Sequence, residues 1–111
     1  MQSTRLNKLL SFLATEPNDP FILYALATEY NSLNDTEQAF QYYHKLVEEH
    51  PSYVGTYYHL GKLYQKHDQT DKALAIYQLG MKRAREKGDG HAFSELQGAY
   101  NSAAGLDYED D

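Results

Sequence analysis

The sequence predicts an all-α protein built as a stack of antiparallel helix pairs, about six helices in all. Three observations predict it. Residues recur at an offset of 34: Tyr24 with Tyr58, Leu26 with Leu60, Tyr30 with Tyr64, Thr36 with Thr70, Ala39 with Ala73, Tyr43 with Tyr77 and Pro17 with Pro51. Within each period the apolar residues fall at i, i+3, i+4 and i+7, the spacing of one helix face. Proline, glycine and Asn/Asp clusters punctuate the chain where one helix would end and the next begin. A period of this length marks a repeat architecture, whose units bury their apolar faces against one another.

The first predicted helix, 3–15, carries Leu6, Leu9, Leu10 and Leu13 on one face and stops before Pro17. In register it is the second helix of a pair whose first helix is absent. The next, 20–33, opens on Asp19-Pro20. Asp19 supplies a capping carboxylate, and proline at the first helical position loses no hydrogen bond. Its stripe is Leu23, Leu26, Ala27 and Tyr30. Asn34, Asp35 and Thr36 make the turn and cap helix 36–50, whose stripe is Ala39, Phe40, Tyr43, Leu46 and Val47. Pro51 ends it by biasing His50 away from helical geometry.

The second period repeats the logic. Ser52 is the expected cap of helix 53–67, which carries Tyr57, Leu60, Gly61 and Tyr64. His67 to Thr70 form the turn, and Ala73, Leu74, Tyr77 and Met81 line helix 70–87. Lys82, Arg83, Arg85 and Lys87 crowd its last turns, where cations meet the negative end of the helix dipole. Gly88-Asp89-Gly90 breaks it. Helix 91–104, with Phe93, Leu96, Tyr100, Ala103 and Ala104, is a first helix without a partner, its register stretched to 36 from Tyr64 to Tyr100. The expected organisation is one domain over 1–105, divided as half-repeat 3–18, repeats 20–53 and 54–87, and capping helix 90–104. An acidic, disordered tail at 106–111 follows.

Composition narrows the function. The formal net charge is −6, of which Asp107, Glu109, Asp110 and Asp111 supply four, leaving −2 for the body. No basic field exists to hold nucleic acid or an anionic membrane. There is no cysteine, which excludes disulfides and thiolate metal sites. The longest apolar run, Leu9 to Ala14, is interrupted by Ser11 and falls far short of the roughly 20 residues a spanning helix needs. The run is also too short for a signal-peptide core, so the expectation is a protein that is not exported and resides in the cytoplasm. The five histidines form no HExxH or HxxxH pair, and no glycine-rich phosphate loop or nucleophile motif occurs. The expectation is therefore no enzyme, no catalytic residue, no metal and no cofactor.

The repeat positions resemble the tetratricopeptide repeat. Tyr57-x-x-Leu60-Gly61-x-x-Tyr64, then Ala73, Tyr77 and Gly80, match its pattern of large residue, Leu-Gly, Tyr, Ala, aromatic and second small residue. Leu23-x-x-Leu26-Ala27-x-x-Tyr30, Ala39, Tyr43 and Pro51 match nearly as well. The small residues let paired helices approach closely. Three positions depart: Leu46 in place of alanine, Arg85 in place of the closing proline, and Gln97 in place of the small residue of the third segment. The resemblance implies a right-handed α-α superhelix in which the first helix of each pair lines a concave groove for an extended peptide or a helix of another protein.

On that geometry the groove residues would be Phe21, Tyr24, Thr28 and Asn31 from the first repeat and Tyr58, Lys62, Gln65 and Lys66 from the second. His91, Ser94, Gly98 and Asn101 would come from the cap. Aromatic anchors supply binding energy, and the polar groups fix register. The lysine–asparagine clamp by which one subclass grips chaperone tails is missing, since Tyr24, Thr28 and His59 stand at the matching positions. The expected partner is a protein or peptide, with neither nucleic acid nor membrane. The alternative is self-association, through the leucine-rich first helix, or a structural piece of a larger complex.

Overall fold

The computed structural model describes residues 3–106. Among them are six helices and no strand: α1 (Thr4–Thr15), α2 (Pro20–Ser32), α3 (Thr36–Glu49), α4 (Gly55–Lys66), α5 (Thr70–Lys87) and α6 (Gly90–Ala103). Each lies within two residues of its predicted span. The acidic tail expected at 106–111 lies outside the described residues except for Leu106, which is exposed.

The helices gather into two compact units that part between Tyr53 and Val54. In the first, α2 packs on α3 and α1 packs on α2. Its fully covered residues are Leu6, Leu23, Leu26, Ala27, Ala39, Tyr43 and Leu46. Ser3 ties α1 to α2. Its hydroxyl accepts the Leu6 N–H at 2.8 Å, capping α1, and donates to Glu29 Oε2 at 2.9 Å. Arg5 reaches the same carboxylate, Nε to Oε1, at 3.1 Å.

In the second unit α5 packs on both α4 and α6, and α4 touches α6. Two glycines set the spacing. A Cβ on Gly61 would overlap the Tyr77 ring, and one on Gly80 would lie 2.5 Å from Tyr57 Cβ and 3.0 Å from Leu96 Cδ1. Only a hydrogen lets α4 and α6 approach α5 this closely.

The turns repeat as faithfully as the stripes. After α2 the N–H of Asp35 bonds to Tyr30 O at 2.9 Å, and after α4 that of Gln69 bonds to Tyr64 O at 2.9 Å. These are the same closure of a helix C-terminus by a left-handed residue. The residue is Asn34 (φ 62°) in one and Asp68 (φ 60°) in the other, side chains that tolerate the left-handed region. Gly88 and Gly105, both at φ 76°, end α5 and α6 in that region. α1 and α3 end differently, each on a residue outside helical geometry, Glu16 or His50, just before a proline. Arg85 stands where Pro51 would recur, so α5 runs on to Lys87 and is 18 residues long against 14 for α3.

The caps expected at Asp19 and Asp35 form, and α6 gains one at Asp89, where only a helix break was expected. Asp19 accepts from Phe21 N–H at 2.9 Å, Asp35 from Gln38 N–H at 3.3 Å, and Asp89 from Ala92 N–H at 3.0 Å. The N-cap position of α4 itself falls at Val54, two residues beyond Ser52, with no side-chain bond there. Tyr53 keeps that segment outside the helix by lying against Phe21 and Tyr24.

Candidate functional site

The residues expected to face a ligand divide between the two units. In the first, α2 carries an aromatic cluster continuous with the core. Tyr24 lies 5.5 Å, ring centre to ring centre, from Tyr53 and 6.4 Å from Tyr43. Phe21 meets Tyr53 edge to face at 5.9 Å and is itself 73% exposed. The sequence reading kept Tyr24 out of the packing, but it rests on the buried Tyr43. The missed signal was Tyr53, outside any helix stripe yet folded back on α2. Burial raises the Tyr53 phenol above its ordinary value, and nearby Asp19 adds to the rise. Thr28 donates its hydroxyl to Ala25 O of its own helix at 3.0 Å, and Asn31 is half-buried.

Tyr30, expected in the core, is only half-buried. It stacks flat on Tyr42, with ring centres 5.7 Å apart and planes 9° from parallel. This contact joins α2 to α3 at the edge of their interface.

In the second unit Tyr58 and Lys62 stand together as their four-residue spacing requires. The Lys62 ammonium lies 5.4 Å from the Tyr58 ring centre, a cation over an aromatic face. His59 meets Tyr58 edge-on at 5.4 Å. Lys66 continues that line, exposed in the last turn of α4. Among the described residues neither lysine has an ion-pair partner. Gln65 is different: its Oε1 accepts the Tyr77 hydroxyl at 2.5 Å, so it serves the α4–α5 junction. On α6, His91, Ser94 and Gly98 are exposed and Asn101 is half-buried.

The basic end of α5 is partly engaged by its neighbours. Arg83 bonds Glu86 at 3.1 Å, and the Arg85 guanidinium covers the Phe93 ring at 4.9 Å. Among the described residues no group of three or more His, Asp or Glu side chains could hold a metal ion. No described helix is long and apolar enough to cross a membrane.

Comparison with known proteins places this geometry. The family model of the tetratricopeptide repeat matches residues 30–100. A tetratricopeptide repeat domain protein from Salinibacter ruber is 46% identical in its solution structure, with a TM-score of 0.78 over 86% of this chain and 96% of that one. Its crystal structure gives 48% identity and a TM-score of 0.74 over 80% of this chain and 100% of that one. The solution structure of a protein from Bordetella parapertussis shares the fold at 22% identity, with a TM-score of 0.79 over 96% of this chain and 92% of that one. A search of curated proteins returned no match.

Proposed function

This chain belongs to the tetratricopeptide repeat family, a fold of protein–protein interaction modules and generally not of catalysts, and from that premise we propose that it binds an extended peptide or helix of a partner protein, with one candidate surface on α2 in the first unit and another on α4 in the second. The observation that carries the reading is Phe21. It is a large aromatic ring, 73% exposed, held by Tyr53 rather than left to swing in solvent. A pre-positioned aromatic side chain loses little entropy on binding and offers a large apolar area. On α4, Tyr58 offers a second aromatic surface with the Lys62 ammonium beside it and the exposed Lys66 one turn further along, suited to a ligand with an acidic group near an apolar one.

The test begins with peptides selected on the whole chain from a displayed library. Phe21→Ala should weaken a peptide that engages α2, and Tyr58→Ala one that engages α4, each by about 2 kcal/mol, the scale of an interface hot spot, with little change in melting temperature. Tyr24→Ala should lower both affinity and melting temperature, because its ring also packs on Tyr43. Wild-type affinity in both the Phe21 and the Tyr58 variants would refute the reading.

A further inference from the structure

Helix α1 has a second face that the first unit does not use. Leu6 is buried, and Leu10 and Leu13 on the same side are half-buried. About a quarter-turn around the helix, Arg5, Leu9 and Phe12 follow one another at spacings of four and three, a stripe within about 60° of arc at 3.6 residues per turn, and Glu16 follows four residues on as the C-cap. Phe12 on that stripe is 56% exposed, one of the four exposed large hydrophobics among the described residues. Arg5 is 66% exposed, with its Nε on Glu29, and Glu16 is exposed with no ion-pair partner among the described residues.

The register shows what this face holds in a full pair. Leu9 and Phe12 hold the positions of Tyr43 and Leu46 in α3, both fully covered. In α3 and α5 the first helix of the pair packs on its second.

We infer that this stripe is a self-association surface, on which α1 of a second copy lies antiparallel to α1 of the first about a two-fold axis. The stripe is its own complement in that arrangement alone. Its centre falls midway between residues 10 and 11, so Leu9 meets the partner copy's Phe12, and Arg5 meets the partner copy's Glu16. Apolar residues face apolar ones at the middle, and opposite charges meet at both ends. A parallel pairing would set Arg5 against Arg5. The head-to-tail alternative, α6 of one copy on α1 of the next, is blocked. α6 carries Gln97 where α2 has Ala27 and α4 has Gly61, the position on which a second helix must seat its ring. A two-fold contact closes on itself, so the product is a dimer rather than a filament. One pair of 12-residue helices buries less than a standard interface, so the dimer is weak and concentration-dependent.

Sedimentation equilibrium of the whole chain tests this over concentrations from about 10 µM to about 1 mM, the range in which so small an interface would associate. The wild type should dimerise within it. Phe12→Glu should weaken the dimer at least tenfold while circular dichroism shows the helices and melting intact. Glu16→Arg and Arg5→Glu should each be monomeric alone, because each sets like charges at both ends. Mixed in equal amounts they should form a heterodimer, because every charged contact is then restored. A monomeric wild type throughout the range, or a Phe12→Glu dimer as tight as wild type, overturns the surface. A mixture of the two charge variants that stays monomeric, with both folded, overturns the antiparallel pairing.

Discussion

The two units hold their paired helices by different means, though they descend from the same 34-residue pattern. The first uses Ala27 and Leu46 at the positions where the second has Gly61 and Gly80. Both sets are buried, and in the second a methyl added at either glycine would fall within overlap distance of a ring carbon. The first unit compensates at the helix ends: Ser3, Asp19 and Asp35 each bond a backbone N–H. The first two helices of the second unit, α4 and α5, start with no side-chain cap. One repeat pattern therefore admits two balances, one weighted to close packing and one to local capping. The packing-weighted unit should be the more sensitive to volume and the less sensitive to its turns.

The largest effect expected is at the glycine–ring contact. Tyr77 is fully buried with its ring on Gly61, so Tyr77→Ala should cost about 3–5 kcal/mol. Gly61→Ala alone should cost about 1–3 kcal/mol, because overpacking outweighs the gain in helix propensity. In the double variant the ring is gone, and the same Gly61→Ala change should become neutral or stabilising, so the two effects should be far from additive. Chemical denaturation of the four proteins measures this. An additive cycle would show that the glycine is not there to seat the ring.

Alkaline pH should strike next. Burial, with Tyr58 close by as the smaller cause, pushes the Tyr77 phenol up to about 12, and burial raises Tyr43 and Tyr57 too. A raised phenol is neutral in the native state while the unfolded chain ionises from about pH 10. The stability it carries is complete below pH 10 and is lost as pH rises from 10 to 12. For Tyr77 the loss is on the order of 2 kcal/mol. Tyr77→Phe should lower stability at pH 7 by about 1 kcal/mol through the lost bond to Gln65, yet flatten the fall between pH 10 and 12. Urea midpoints at pH 7, 9 and 11 for the two proteins decide it, and parallel curves would contradict the assignment.

The sequence exposed most of this architecture because repeat packing is written in small and aromatic residues at fixed offsets. Gly61, Ala73 and Tyr77 could be placed at helix contacts before any coordinates, since nothing else explains a glycine inside a helix stripe. The candidate ligand face was less legible. Periodicity tells which side of α2 faces the core, but it says nothing of a ring such as Tyr53 that reaches in from outside the helix. It therefore assigned Tyr24 to the ligand alone, although Tyr24 also packs on Tyr43. Gln65 was misjudged for a related reason. An amide on a solvent-facing position looks available, and only the reach of the Tyr77 hydroxyl shows that it is taken. The later start of α4, at Gly55 rather than Tyr53, has the same origin, because Tyr53 packs on Tyr24.

The smallest expected effect is the most direct exchange between the units. Gln69 occupies in the second unit the place of Asp35 in the first. Their backbones agree, φ −110° and ψ 62° against φ −91° and ψ 80°. Each follows a left-handed residue, Asp68 or Asn34, and each closes the preceding helix with the same 2.9 Å bond. The only difference at the cap is chemical. The Asp35 carboxylate reaches the Gln38 N–H, whereas the Gln69 side chain makes no cap bond. Glutamine is one methylene longer and ends in an amide, so it seldom closes the short ring that an N-cap requires. Gln69→Asp should therefore supply the missing acceptor and place a negative charge at the positive end of α5. The gain should be about 0.5–1 kcal/mol, and Asp35→Ala should lose a similar amount in the first unit. One term opposes the gain: Asp68 and Asp71 already put two carboxylates near that end, so added repulsion should trim the benefit at low salt and less at high salt. Melting temperatures of Gln69→Asp in low and high salt separate the two terms. A variant no more stable than wild type in high salt would show that α5 starts on packing alone and has no use for a cap.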